Sequence, residues 1–207
     1  MKVVLINGSP HAHGCTYTAL TEVADRLHEL DVETELVQTG TAPVQDCIAC
    51  RKCVKTGLCV FKDDAVNDAI ELVKKADGLV VGSPVYYAGP SARLTAFLDR
   101  LFYCKSAPFG GKPAAAVVSC RRGGASASFD RLNKYFTICG MPVVSSQYWN
   151  SVHGNTPDEV RQDLEGLQTM RTLASNMAWL MRCIEAGKKQ GIEYPQREPW
   201  IATNFIR

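Results

Sequence analysis

Two hydrophobic rhythms alternate along this chain. "KVVLIN" is a short β-branched run closed by "GSP", and "VETELVQ" is a second such run. "GLVVGSPVYYAGP", "KPAAAVVSC" and "MPVVSSQYW" follow the same pattern further on. These read as strands over 2–7, 32–38, 78–90, 112–120 and 141–149. Between them apolar residues recur at helical spacing over 16–30, 63–76, 91–103 and 126–140. A long helix is predicted over 157–186, with an irregular tail over 187–207. Two aspartates at the front of 63–76 suit a helix start, and Gly140 suits the residue just past a helix end.

Strands alternating with helices predict one α/β domain over residues 1–207, with a doubly wound parallel sheet covered on both faces. Ligands of such sheets sit beyond the carboxyl ends of the strands. The unusual residues fall there: "GSPHAHGCT" follows strand one, "SPVYYAG" strand three and "CRRGG" strand four.

Composition narrows the function classes. The chain has 207 residues, 46% apolar and 21% charged, with a net charge of +2. Its charges are interspersed, so no nucleic-acid footprint is expected. The first residues lack a signal peptide's apolar core, and no apolar run is as long as a membrane span. A cytoplasmic home is expected, where the nine cysteines suit thiols or metal ligands better than disulfides.

Four of those cysteines crowd into "DCIACRKCVKTGLCVFKDD", a loop by composition: Cys47, Cys50, Cys53 and Cys59. Two successive two-residue gaps let three thiolates converge on one cluster, and Gly57 permits the turn that delivers the fourth. Zinc also takes four thiolates, and free or redox-active thiols fit the same spacing. Cys104, Cys120, Cys139 and Cys183 are isolated in sequence and read as buried or incidental. Met170, Met177 and Met181 read as core or a dimer face. The four histidines show no metal spacing, and no Ser-His-Asp arrangement is evident.

The loop after strand one offers Gly8, Ser9, Gly14 and Thr16 just before a helix, which suits either an anion site or an ordinary capped turn. It lacks the Gly-Lys-Ser/Thr of a triphosphate loop and the glycine spacing of a dinucleotide fold, so a monophosphate is the better fit. Tyr86 and Tyr87 are able to flank a flat ring or to close a core edge. Arg121 and Arg122 suit a phosphate or a solvated basic turn.

"GSPHAHGCT", "SPVYYAGPSARLTAFLDR" and the cysteine stretch ending in "DD" together resemble the flavodoxin-like NAD(P)H-dependent FMN reductases, and within them the iron–sulfur flavoproteins. The resemblance covers residues 1 to 154. It implies a flavodoxin-like five-stranded sheet of order 2-1-3-4-5. It implies that Ser9, Gly14, Cys15 and Thr16 wrap an FMN phosphate with His11 nearby. It places Pro84, Val85, Tyr86, Tyr87 and Gly89 at the flavin ring, with Gly89 letting the chain reverse. Arg121 and Gly123 belong to the third flavin loop. Relatives usually carry Arg where His11 stands and Asn or Ser where Cys15 stands, so a weaker hold on the phosphate is expected. Cys47, Cys50, Cys53 and Cys59 match the motif that holds a [4Fe–4S] cluster close to FMN in the iron–sulfur branch, while cluster-free members carry a similar stretch.

The activity implied is electron transfer from NAD(P)H, or from ferredoxin, to a small acceptor such as a quinone, nitroaromatic, azo compound or flavin. The flavin carries the chemistry, so no side-chain acid or base is named. An electron carrier with little activity of its own is the second reading, and the slightly basic chain lacks the acidic docking surface such a carrier needs. A phosphate-binding module without redox chemistry is the third. The long helix and the tail suggest burial against a second subunit, in a homodimer or homotetramer, and the resemblance places the region of Tyr148, Trp149, Asn150 and His153 near a flavin bound at a subunit interface.

Overall fold

The computed structural model describes residues 1–104, 109–199 and 201–203. Trp200 and residues 204–207 of the expected tail lie outside the described residues. Four strands, β1 (Lys2–Asn7), β2 (Glu33–Gln38), β3 (Gly78–Tyr86) and β5 (Ala114–Cys120), form a parallel sheet with β6 (Ser151–His153). A two-residue strand, β4 (Gly89–Pro90), folds back antiparallel on β3. With β4 set aside, the order β2-β1-β3-β5-β6 is the expected 2-1-3-4-5, and the fold is flavodoxin-like.

The sheet is central because its middle strands are apolar on both faces. Val4, Ile6, Leu79, Val81, Ala116 and Val118 enter one core with α3 (Val66–Lys75), α4 (Ala92–Tyr103) and α5 (Ala125–Ile138). Val3, Leu5, Val80, Ala115 and Val117 point the other way, against α1 (Cys15–Glu29) and α7 (Leu164–Lys189). The period of two along each strand makes this division. Met170, Met177 and Met181 are buried in the second core.

Three expectations need correction. Residues 141–149 do not form the fifth strand: Val143 makes one isolated bridge to Ala114, and the ladder resumes only at Ser151. The cause is a side chain that competes with the ladder. Ser146 Oγ donates to Tyr148 O at 2.6 Å and accepts from Tyr148 N at 3.3 Å, which turns the backbone away. Asn150 then stands in, donating from Nδ2 to Ala116 O at 3.0 Å and accepting Val118 N at 2.9 Å.

The long helix is two helices, α6 (Pro157–Gln162) and α7, broken at Asp163. Asp163 Oδ1 accepts from Gly166 N at 2.9 Å to cap α7, and Oδ2 accepts from His153 N at 2.6 Å. The cysteine stretch is not all loop either: α2 (Lys52–Thr56) lies within it and ends on Gly57, whose φ is +77°. Part of the tail folds back on its own chain, where Tyr194 Oη donates to Gly140 O at 3.0 Å. No helix among the described residues is long and apolar enough to cross a membrane.

Candidate functional site

The loop after β1 is locked by its neighbours. Gly8 N donates to Gly82 O at 2.8 Å, and a Cβ at Gly8 would lie 2.6 Å from a methyl of Leu94. Only glycine lets the two strand ends approach this closely. Ser9 is buried; its Oγ accepts from His11 N at 3.1 Å and its N donates to Asn7 Oδ1 at 3.1 Å. Gln38 completes the brace by donating from Nε2 to Ser9 O at 2.6 Å. Asn7 and Gln38 were not foreseen as site residues; a polar residue at the end of each strand is the only trace they leave in the sequence.

This brace presents the start of α1. Gly14 is its N-cap and supplies no side-chain cap, so the first-turn N–H groups have no side-chain acceptor and point out of the helix end. That end carries the positive pole of the helix. Thr16 is buried and its hydroxyl is 2.8 Å from that of Ser119. Cys15 turns aside, its thiol donating to Gly154 O at 3.8 Å, and burial pushes its pKa up. His11 is exposed beside the loop.

The loop after β3 meets the one after β5. Reversal of the chain is made by Tyr87 and Ala88, at φ of 50° and 58°, and Gly89 begins β4 instead. Two successive left-handed residues are the signature of a two-residue hairpin of type I′. Non-glycine residues hold it at a cost of ~1–2 kcal/mol each. Tyr86 and Tyr87 are left exposed. Pro84 and Val85 lie within β3 beneath them. A Cβ at Gly124 would lie 2.7 Å from Ala88 Cα, so the hairpin packs onto the turn that starts α5. Arg121 and Arg122 are exposed on that turn, and Gly123 faces open space. Cys120 closes this side: its Sγ is 3.4 Å from His153 Nδ1, and burial pushes the thiol's pKa up. Gly154 N donates to Cys120 O at 3.2 Å. Ser9, His11, Gly14, Cys15, Thr16, the hairpin and the Arg121–Gly123 turn thus share one rim at the carboxyl ends of the strands.

The four clustered cysteines gather elsewhere. Cys47, Cys50, Cys53 and Cys59 line one cavity of about 20 Å³ with Phe61, Arg100 and Tyr103. Arg100 lies nine residues along α4 from Ser91, roughly 14 Å at the helical rise, whereas Ser91 Oγ touches the rim by donating to Gly8 O at 2.8 Å. The cavity is therefore set apart from the rim of the same chain. Ala49 and Arg51, at φ of 53° and 58°, bend the loop around it. Among the described residues, no three His, Cys, Asp or Glu side chains are placed to share one metal ion.

Two residues at this cavity escaped the sequence reading. Cys104 is not isolated: it is buried beside Cys53 and Cys59, and desolvation followed by the charge of Cys53 pushes its pKa up to about 12. Arg100 has a side chain with no exposure at all, ion-paired through both guanidinium arms to Asp64. It is a charged residue on the apolar stripe of Leu94, Phe97, Leu98 and Leu101, the one signal that marks it in the sequence.

A further cavity, about 980 Å³, opens at the amino ends of the strands between α7 and the tail. Lys112 within it spends its donors on Val73 O, Lys74 O and Ala76 O at 2.8, 2.6 and 2.6 Å.

Comparison with known proteins gives the family. The chain is 32% identical over 195 residues to an iron–sulfur flavoprotein of Methanocaldococcus jannaschii, covering 89% of this chain and all of that one. It is 33% identical over 133 residues to an NADPH azoreductase of a Bacillus species, covering 61% of this chain and 64% of that one. A flavodoxin from the Archaea superposes with a TM-score of 0.59 at 15% identity, over 88% of this chain and 99% of that one. Residues 1–156 match the family model of the NADPH-dependent FMN reductases, and the chain belongs to that family.

Proposed function

We propose that this chain is a single-domain FMN oxidoreductase that takes electrons from NADPH or NADH and passes them to a small acceptor. The observation that carries this reading is the uncapped start of α1, held open by the Ser9 brace at the rim where three strand-end loops meet. The residues fit FMN. The N–H groups of Cys15 and Thr16, with His11 beside them, suit its phosphate. Tyr86, Tyr87 and the backbone of 84–89 suit its ring, with Arg121 and Gly123 opposite. When bound, the flavin supplies hydride acceptance and electron delivery. The chain's part is to hold the phosphate, orient the ring and shield one face with tyrosine.

Azo compounds are candidate acceptors, as one relative is an azoreductase; quinones, nitroaromatics and free flavin share that chemistry. Tyr86 and Tyr87 leave the rim open, Tyr148 and Trp149 are exposed just ahead of β6, and a second copy of the chain covering these aromatics suits a homodimer or homotetramer.

The four-cysteine cavity supports the iron–sulfur reading within this function. A [4Fe–4S] cluster takes four thiolates, each on a different iron, and Cys47, Cys50, Cys53 and Cys59 are the four that line one cavity. Ferredoxin is then a candidate electron donor.

The test is an absorption spectrum of anaerobically purified protein with iron, sulfide and zinc assays, followed by NADPH oxidation with an azo dye or quinone. Flavin with about four irons per chain supports the whole reading. Flavin without iron reduces it to a plain FMN reductase. No flavin after reconstitution overturns it.

A further inference from the structure

Arg100 is the most heavily engaged buried charge in the described chain. Its Nε donates to Cys59 Sγ at 3.2 Å. Nη1 donates to Gln45 O at 3.1 Å, and Nη2 donates to Phe61 O at 3.2 Å. Asp64 takes both arms, with Oδ1 accepting from Nη2 at 3.0 Å. The guanidinium also lies over the Phe61 ring, 5.2 Å from its centroid. One side chain thus ties residues 45, 59, 61 and 64, the two flanks of the cysteine stretch, to α4.

Burial alone works against a charged guanidinium, and here the paired Asp64 carboxylate and the Cys59 sulfur offset it. The charge is permanent, dry and aimed at one sulfur. An ion pair with Asp64 would satisfy the charge by itself. The Nε contact goes beyond that need: it singles out Cys59, although Cys47, Cys50 and Cys53 line the same cavity.

We infer that Arg100 and Asp64 form a two-part electrostatic control on the cysteine cavity, Arg100 raising and Asp64 lowering the reduction potential of the cluster held there through the Cys59 sulfur. The inference rests on the cluster reading above. Reduction adds an electron that is shared with the cysteine sulfurs. A charged N–H donor on one sulfur favours the electron-rich form. Asp64 pulls the same guanidinium the other way and places a negative charge near the cavity. A pair kept only as a latch has no reason to treat its two members differently, because removing either leaves the other buried and unpaired.

The test uses the full-length, cluster-loaded protein and two variants, Arg100→Lys and Asp64→Asn. Lysine keeps a charge for Asp64 and has no Nε–H to give Cys59. Cluster and flavin potentials are read in one dye-mediated titration, with EPR for the cluster and absorbance for the flavin. The expected result is a downward shift of the cluster in Arg100→Lys, an upward shift in Asp64→Asn, and an unmoved flavin in both. Unmoved cluster potentials, or shifts of the same sign, overturn the inference. If Arg100→Lys loses iron, Asp64→Asn decides alone: an upward shift supports the inference and none overturns it. Iron loss in both variants makes the pair a scaffold only and overturns it. A wild-type protein with flavin and no iron overturns the cluster reading itself, an outcome visible before either variant is made.

Discussion

The hydroxyls of Thr16 and Ser119 meet at 2.8 Å, joining the first turn of α1 to the end of β5 across 103 residues of sequence. Both are buried, so the bond has no water to replace it. It sets how far the start of α1 stands from the strand ends, and hence the width of the rim. Thr16→Val keeps the shape and strands the Ser119 hydroxyl, at a cost of about 1–3 kcal/mol. Adding Ser119→Ala removes the stranded group and should restore much of the loss. Urea unfolding of the two variants checks this; a single variant as stable as the double means that the hydroxyls do not pair.

His11 stands at the loop with its backbone N–H on Ser9 Oγ and its side chain exposed. An arginine there offers a rigid fork to a phosphate dianion. His11→Arg should tighten FMN about five- to tenfold, near 1–1.4 kcal/mol. The gain should shrink in 1 M salt, where the Debye length is about 3 Å. Fluorescence titration of the apoprotein at low and high salt measures both. Unchanged affinity at low salt places the phosphate away from this loop.

At the hairpin tip the second left-handed residue is Ala88, a position that type I′ turns give to glycine. Ala88→Gly removes the Cβ penalty and in exchange loosens the unfolded chain, leaving a net gain of about 0.5–1 kcal/mol. Gly124→Ala should do the reverse, since its own φ is +93° and its Cβ would press on Ala88. Thermal melts of both variants should move in opposite directions. A destabilised Ala88→Gly would mean that the alanine methyl packs usefully against the Gly124 turn.

Much of this architecture was legible because it is local. The periodicity of α1, α4 and α5 placed them within two residues, Gly140 ended α5 at φ of +70° as a post-helix glycine does, and the apolar runs placed β1, β3 and β5. What escaped depends on side chains that reach over long separations or compete with the backbone. Ser146 and Asn150 replaced an expected strand by their own hydrogen bonds. Asp163 broke a helix whose apolar spacing runs on without interruption. At the site, residue types gave the loops but not the orientation. Thr16 faces Ser119, the chain reverses at Tyr87 and Ala88 rather than at Gly89, and Arg100 reaches Cys59 from 41 residues away.

Cys104 adds a pH dependence with a definite sign. Burial first, and the neighbouring Cys53 second, push its thiol from an ordinary value of 9.0 to about 12. In the folded chain it therefore keeps its proton after the unfolded chain has lost it. Between these two values the unfolded state binds fewer protons, so stability falls as pH rises. The stabilising contribution is complete below pH 9 and is lost on the way to about 12. One such thiol gives a slope of at most about 1.4 kcal/mol per pH unit. Cys15, Cys120 and Cys139, each raised by burial, steepen the fall in the same direction. Cys104→Ala leaves a small void and lowers stability at every pH, so the comparison is of slopes rather than levels. Urea midpoints of wild type and Cys104→Ala at pH 8 and pH 10.5 should show a shallower alkaline decline in the variant. Parallel declines would show that Cys104 titrates alike in the folded and unfolded chain, and that its burial beside Cys53 does not hold the proton.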